Sequence, residues 1–179
     1  MQQVQNGEVG QLGVLFERHH RALFRYFVSM NRDRTLAEDL VQDVFFRILR
    51  YRQTYNEAQS FVAWMYRIAR NAGVDNARKR RGEVVDIDEF AERREAASTQ
   101  PNPEQTAVRR QDLALLRRAL DMLPPDKREL LILSRFEGMK YEDIAQVLGC
   151  EVATVKVRVF RAVRALEQIY LTLEREKVS

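Results

Sequence analysis

The stretch Tyr141-Glu142-Asp143-Ile144-Ala145-Gln146-Val147-Leu148-Gly149-Cys150-Glu151-Val152-Ala153-Thr154-Val155-Lys156-Val157-Arg158 decides the fold. Two apolar-periodic segments flank a glycine at the spacing of a helix-turn-helix. Ala145 is small where the two helices must approach, Gly149 permits the turn, and Val155 packs six residues later with Ile144 and Leu148. The second helix is expected from Val152 to about Leu173, with Val152, Val155, Val159, Val163, Leu166 and Tyr170 as its inner stripe. Thr154, Lys156, Val157, Arg158, Phe160, Arg161 and Arg164 then form the outer arc. Arginine can contact guanine edges bidentately, and an exposed Val or Phe can meet a thymine methyl. Lys156, near the helix start, suits phosphate, which positions without specifying sequence. Val157 and Phe160 are poor solvent residues, so this arc reads as a DNA-facing surface.

Outward from this motif the chain reads as nearly all-α. Its prolines fall in two places, Pro101/Pro103 and Pro124/Pro125, and the latter pair fits a helix N-terminus. Between the breakers run stretches of Leu, Ala, Arg, Glu and Gln, all good helix formers. Only Val84-Val85-Asp86-Ile87 hints at a strand. Charge divides the 179 residues further. Residues 1–81 hold 14 basic and 8 acidic side chains, residues 82–112 hold 4 and 8, and residues 113–179 hold 12 and 10. The expectation is two helical domains, 8–81 and 106–174, joined by an acidic, flexible linker at 82–105. Fully extended, those 24 residues reach at most roughly 80 Å at ~3.3 Å each.

Composition excludes several classes. With 31% charged and 45% hydrophobic residues the chain resembles an ordinary folded soluble protein. No uncharged apolar run approaches the roughly 18 residues of a membrane span, and Met1 to Gly10 lacks the pattern of a secretory signal. The single Cys150 forms no internal disulfide and suits a reducing, cytoplasmic setting. His19 and His20 point about 100° apart on a helix, Cys150 has no zinc-ligand companions, and no Gly-rich phosphate loop occurs. No catalytic residue, metal or cofactor is therefore expected, and the chain is read as a non-enzyme.

In the first domain a helix is expected from about Glu8 to Met30, with Leu12, Leu15, Phe16, Leu23, Tyr26 and Phe27 facing inward. Thr35-Leu36-Ala37-Glu38 reads as a capping box opening a second helix that ends near Arg52. Leu40, Val41, Val44, Ile48 and Tyr51 share its core face, and Asp39, Gln42, Asp43, Phe46 and Arg50 the opposite one. A large aromatic among acids and an amide suits a protein-docking face. A third helix is capped by Ser60, buries Phe61, Trp64, Met65, Ile68 and Ala72, and ends in Arg78-Lys79-Arg80-Arg81. Arg67, Arg70, Asn71 and Arg78 point elsewhere, close to the polar loop Arg52–Gln59 with its Tyr55 and Asn56. Cations interleaved with aromatics are what single-stranded nucleic acid requires.

Taken in order, Ala37 to Phe45, Phe61 to Asn71, Leu123-Pro124-Pro125, Tyr141 to Gly149 and Thr154 to Arg158 resemble bacterial RNA polymerase sigma factors of the extracytoplasmic-function (ECF) type. The resemblance implies a region 2-like helical bundle and a region 4-like helix-turn-helix. It implies that Asp39, Gln42 and Asp43, with Phe46 on the same face, meet the β′ clamp helices of core polymerase. Tyr55, Asn56, Arg67, Asn71 and Arg78 fall where the family captures a flipped −10 base and holds the melted strand. Thr154, Lys156, Val157, Arg158, Phe160, Arg161 and Arg164 fall where it reads the −35 duplex. Position 157 is often Ser in relatives and is Val here, so no base preference is carried over. Promoter DNA, the polymerase β flap and an inhibitory anti-sigma factor are the further partners implied, with no membrane insertion by this chain. The alternative is a helix-turn-helix regulator, not acting as a sigma factor, with an N-terminal sensor or dimerisation domain, which would need no basic aromatic helix in its N-terminal half and would usually dimerise for two half-sites.

Overall fold

The computed structural model describes residues 1–82 and 103–178. Their regular structure is entirely helical: α1 (Gln2–Gln5), α2 (Gln11–Asn31), α3 (Arg34–Arg50), a 3-10 turn at Arg52–Thr54, α4 (Phe61–Gly82), α5 (Pro103–Met122), α6 (Pro125–Leu131), a π-helical segment at Ile132–Phe136, α7 (Tyr141–Leu148) and α8 (Val152–Val178). Most of the expected connector, and the strand hint at Val84–Ile87, lie outside the described residues.

Local chemistry explains where the helix ends differ from expectation. The first long helix starts at Gln11 rather than Glu8, with Gly10 as its N-cap. The short α1 before it was not legible in the sequence. At the other end of α2, Arg32 adopts a left-handed conformation, leaving Asp33 to cap α3: its Oδ1 accepts from the Leu36 amide at 2.9 Å. Asp33 therefore displaces Thr35 as the cap, and the expected capping box is corrected; an aspartate is at least as good a cap as a threonine. Leu40, Val41, Val44 and Ile48 are buried as expected, but Tyr51 is not, because α3 stops at Arg50 and Tyr51 belongs to its C-terminal cap. Ser60 does cap α4, its Oγ accepting from the Ala63 amide at 3.4 Å, and Trp64 is core.

The helix-turn-helix forms as read. Gly149 ends α7 with φ +62°, Pro125 is the first residue of α6, and Ile144, Ala145 and Val155 are buried. The inner stripe of α8 needs correction at Val163, which is 38% exposed, while Ala162 is fully buried. Successive i+4 steps overshoot a helical turn by about 40° each, so the stripe returns through Val155, Val159, Ala162, Leu166, Ile169 and Leu173.

Within the first half α3 packs on both α2 and α4; within the second, α5, α6 and α7 pack on α8. The two halves also pack on each other, α4 against α7 and α2 against α6. Leu23, Phe27, Met65 and Ala69 share one apolar cluster with Leu133, Ile144 and Val147. A smaller cluster of Leu123, Leu131 and Ala162 fixes α5 and α6 to α8. Burial of a charge needs partners, and the seam supplies them. Glu129, 6% exposed, accepts from the Tyr26 hydroxyl at 2.8 Å and from Arg70 Nε at 3.1 Å. Glu137 accepts from the Tyr66 hydroxyl at 3.1 Å and from Arg25 at 3.2 Å, and Arg128 donates to the Met30 carbonyl at 3.2 Å.

Candidate functional site

Three surfaces carry the residues singled out from the sequence, and the packing between the halves covers none of them. On α3, Asp39, Gln42 and Phe46 are exposed, Phe46 by 72%. Asp43 is only part-exposed because Arg47, one turn later, donates Nε to it at 3.0 Å while its NH1 reaches Asp75 of α4 at 2.7 Å. A fork of five fixed donors can bridge two carboxylates in this way, so Arg47 braces α3 against α4 at the edge of the face. Sequence reasoning did not single out Arg47 or Asp75. The Asp43–Arg47 spacing was visible as an i,i+4 pair, but Asp75 comes near only through folding.

The second surface joins the turn after α3 to α4. Tyr55 is part-buried: its ring lies 5.3 Å from Trp64 and 6.0 Å from Phe61, and its hydroxyl donates to the Gln59 carbonyl at 3.0 Å. Burial, followed by the nearby Glu57 charge, raises its pKa. The Asn56 side chain accepts from the Ala58 amide at 3.0 Å, an Asx turn that shapes the loop. Asn56, Arg67, Asn71 and Arg78 are exposed. Arg70, on the same helix, instead turns into the seam toward Glu129. The loop thus places a part-buried aromatic and an exposed amide beside cations on α4, residue types that suit an unpaired base and a phosphate backbone.

The third surface is the outer face of α8. Lys156, Val157, Arg158, Phe160, Arg161 and Arg164 are exposed, Phe160 by 62%, and Thr154 is part-buried. The Arg164 guanidinium lies over the Phe160 ring at 5.5 Å and reaches Glu167 at 3.4 Å, which limits the freedom of both long side chains. Such a face suits the major groove of duplex DNA. Among the described residues no cluster of His, Cys, Asp and Glu could hold a metal ion.

Two family models match the chain in consecutive segments. Residues 15–83 match the Sigma-70 region 2 family model, and residues 113–166 match that of Sigma-70, region 4. The chain is 32% identical to the RNA polymerase sigma-H factor of Pseudomonas aeruginosa, over 98% of this chain and 94% of that one. It is 40% identical to the ECF RNA polymerase sigma factor EcfG of Rhodopseudomonas palustris, over 78% and 72%. The chain belongs to the ECF RNA polymerase sigma factors. Its fold is similar to that of the sigma factor RpoE of Bartonella quintana, solved in complex with the anti-sigma factor NepR: the TM-score is 0.69 and the identity 30%, covering 88% of this chain and 94% of that one.

Within this sigma factor, region 2 carries the first two surfaces and region 4 the third. Sequence reasoning did not identify the seam between them. Glu129 precedes the apolar run Leu130–Leu133, and an acid bordering such a run is a weak sign of a buried carboxylate. Its partners Tyr26 and Arg70 lie 103 and 59 residues away and had no sequence signal. No helix among the described residues is long and apolar enough to cross a membrane.

Proposed function

We propose that this chain works as an alternative sigma factor in the cytoplasm, without catalytic chemistry of its own, and that each surface has one task. Asp39, Gln42, Asp43 and Phe46 dock on the β′ clamp helices of core polymerase, with Phe46 as the apolar anchor inside a polar ring. Tyr55, Asn56, Arg67, Asn71 and Arg78 capture a −10 base and hold the opened strand. Thr154, Lys156, Val157, Arg158, Phe160, Arg161 and Arg164 read the −35 element as duplex, and region 4 also touches the β flap. The observation that carries this reading is the exposure of two large aromatics, Phe46 and Phe160, on chemically different faces. One is set among carboxylates, an amide and Arg50, the other among arginines. A large aromatic in a polar rim of mixed charge suits a protein surface, whereas one rimmed by arginines suits DNA.

Opening a duplex costs a few kcal/mol for each base taken out, and binding the extruded base offsets part of that. Placing region 4 on unmelted DNA supplies affinity and register. A formal charge of +4 is small for tight binding of DNA by the chain alone, so polymerase is expected to place both regions. The complex of the Bartonella quintana relative with an anti-sigma factor supports regulation of this chain by an inhibitor of that class.

Run-off transcription with purified core polymerase tests the proposal. Promoter-specific RNA made only when the chain is added supports it. Core output unchanged by the chain, with sequence-specific DNA binding by the chain alone as a dimer, overturns it in favour of an ordinary helix-turn-helix regulator.

A further inference from the structure

The first six residues are tied to the loop that carries Tyr55 and Asn56. Val4 is fully buried and Met1 packs on the core. The Gln5 carboxamide donates to the carbonyl of Arg52 and to that of Tyr55, each at 2.9 Å. Those two carbonyls belong to the first residue of the 3-10 turn Arg52–Thr54 and to the residue that follows it. One NH2 group has two hydrogens, so a single side chain uses its full donor capacity to span both ends of the turn. Gln53 returns a bond, its Nε2 donating to the Gln5 carbonyl at 2.9 Å, and Gln2 meets the Glu57 carboxylate. After Tyr55 the loop is held by the Asn56 Asx turn, the Tyr55–Gln59 bond, the Gln59 amide donating to the Asn56 carbonyl at 3.0 Å, and the Gln2–Glu57 contact. Where the base-reading residues sit is thus set from one side by Trp64 and Phe61, and from the other by Gln5.

We infer that Gln5 is a positioning residue of the −10-reading loop, and that Met1–Asn6 forms part of the promoter-melting element. This rests on the reading of Tyr55 and Asn56 given above. Binding sites built on loops lose function when their supporting contacts are loosened, even with every contacting residue present.

The test uses full-length chain reconstituted with core polymerase. The template is a promoter fragment from which the holoenzyme initiates, prepared with its native −10 element or with the captured base replaced, as duplex and as a pre-melted bubble. Gln5→Ala removes both donated bonds; Gln5→Glu keeps the shape but sets a carboxylate against two carbonyl oxygens. Both are expected to lower the native-to-replaced discrimination ratio about tenfold, the scale of two lost hydrogen bonds, on bubble as well as duplex. Affinity for core and −35 occupancy are expected to stay in place, and the thermal midpoint to fall by no more than a few degrees. An unchanged ratio in the Gln5 variants, while Tyr55→Ala or Asn56→Ala collapses it, overturns the inference and leaves the loop assignment standing. A uniform fall in core binding, −35 occupancy and thermal midpoint also overturns it, since it would show a merely structural role. If Tyr55→Ala and Asn56→Ala leave the ratio unchanged too, the loop assignment itself fails and the inference falls with it.

Discussion

The hydroxyl of Tyr26 donates to Oε1 of Glu129 at 2.8 Å, joining region 2 to region 4 across 103 residues of sequence. Both groups are almost without solvent, at 3% and 6% exposure, and Arg70 supplies the countercharge to the carboxylate. A hydrogen bond to a charged group contributes about 1.5–3 kcal/mol. Tyr26→Phe should lose about that much stability in urea unfolding. Glu129→Leu should lose more, because it leaves the buried phenol without an acceptor. Adding Tyr26→Phe to Glu129→Leu should then recover stability, since removing both partners of a buried pair is far less costly than removing one. Strictly additive losses in this double-mutant cycle would show that the bond does not couple the two halves.

Alkaline pH should weaken the same seam. Burial first, then the Glu129 charge, pushes the Tyr26 phenol well above its ordinary pKa of 10.0, and burial with Glu137 raises Tyr66 in the same direction. Arg70 and Arg25 oppose these shifts without reversing them. In the unfolded chain both phenols ionise near pH 10, whereas the packed form keeps them protonated. Stability from this difference is complete below about pH 10 and is lost as pH rises above it. Urea midpoints followed from about pH 9 to 11 should fall, and the fall should be shallower in Tyr26→Phe/Tyr66→Phe. Equal slopes in the two proteins would contradict the assignment.

Period and breakers made the helices legible, but not the way they assemble. Ile144, Ala145, Gly149 and Val155 are close in sequence and each has one conformational job, so the helix-turn-helix could be read residue by residue. Phe46 and Phe160 stood out because a large aromatic on a polar helical face has no local use. Thr35 misled because a Thr-x-x-Glu pattern is local and weak, while Asp33 held the cap through the abrupt end of α2 at Arg32. Val163 misled because unbroken i+4 steps drift off a helical face. Gln5, Asp75 and Glu129 act only through partners 28 to 103 residues away. Their roles depend on tertiary packing, to which periodicity is blind.

The α3 face separates docking from folding. Asp39 and Gln42 are exposed, so Asp39→Ala with Gln42→Ala should move the unfolding midpoint by within about 0.5 kcal/mol while weakening core-polymerase binding. Phe46→Ala, the loss of an apolar anchor, should cost about 2 kcal/mol or more of binding, roughly 30-fold in Kd. Asp43→Ala should behave differently, losing stability as well, because Arg47 then keeps only Asp75. Titration of labelled core with each variant, beside thermal melts, checks the pattern. Full co-elution of the Phe46 variant with core at nanomolar concentration would remove this face from the docking surface.

On α8 the outer arc should divide by chemistry rather than by charge. Arg161 is exposed on the arc proposed to read the −35 element, and Arg161→Ala should lower −35 occupancy by the ~1–3 kcal/mol of a base contact while relaxing preference at one base pair. Lys156, near the start of the helix, suits a phosphate. Lys156→Ala should therefore weaken all sequences alike and reduce the salt slope by about one. Phe160→Ala removes the ring beneath the Arg164 guanidinium at 5.5 Å and should weaken the contribution of Arg164 along with its own. Footprinting of holoenzyme on native and substituted −35 elements, at several salt concentrations, separates these outcomes. If Arg161→Ala and Lys156→Ala give the same uniform loss with no change in base preference, α8 holds the backbone and the sequence is read elsewhere.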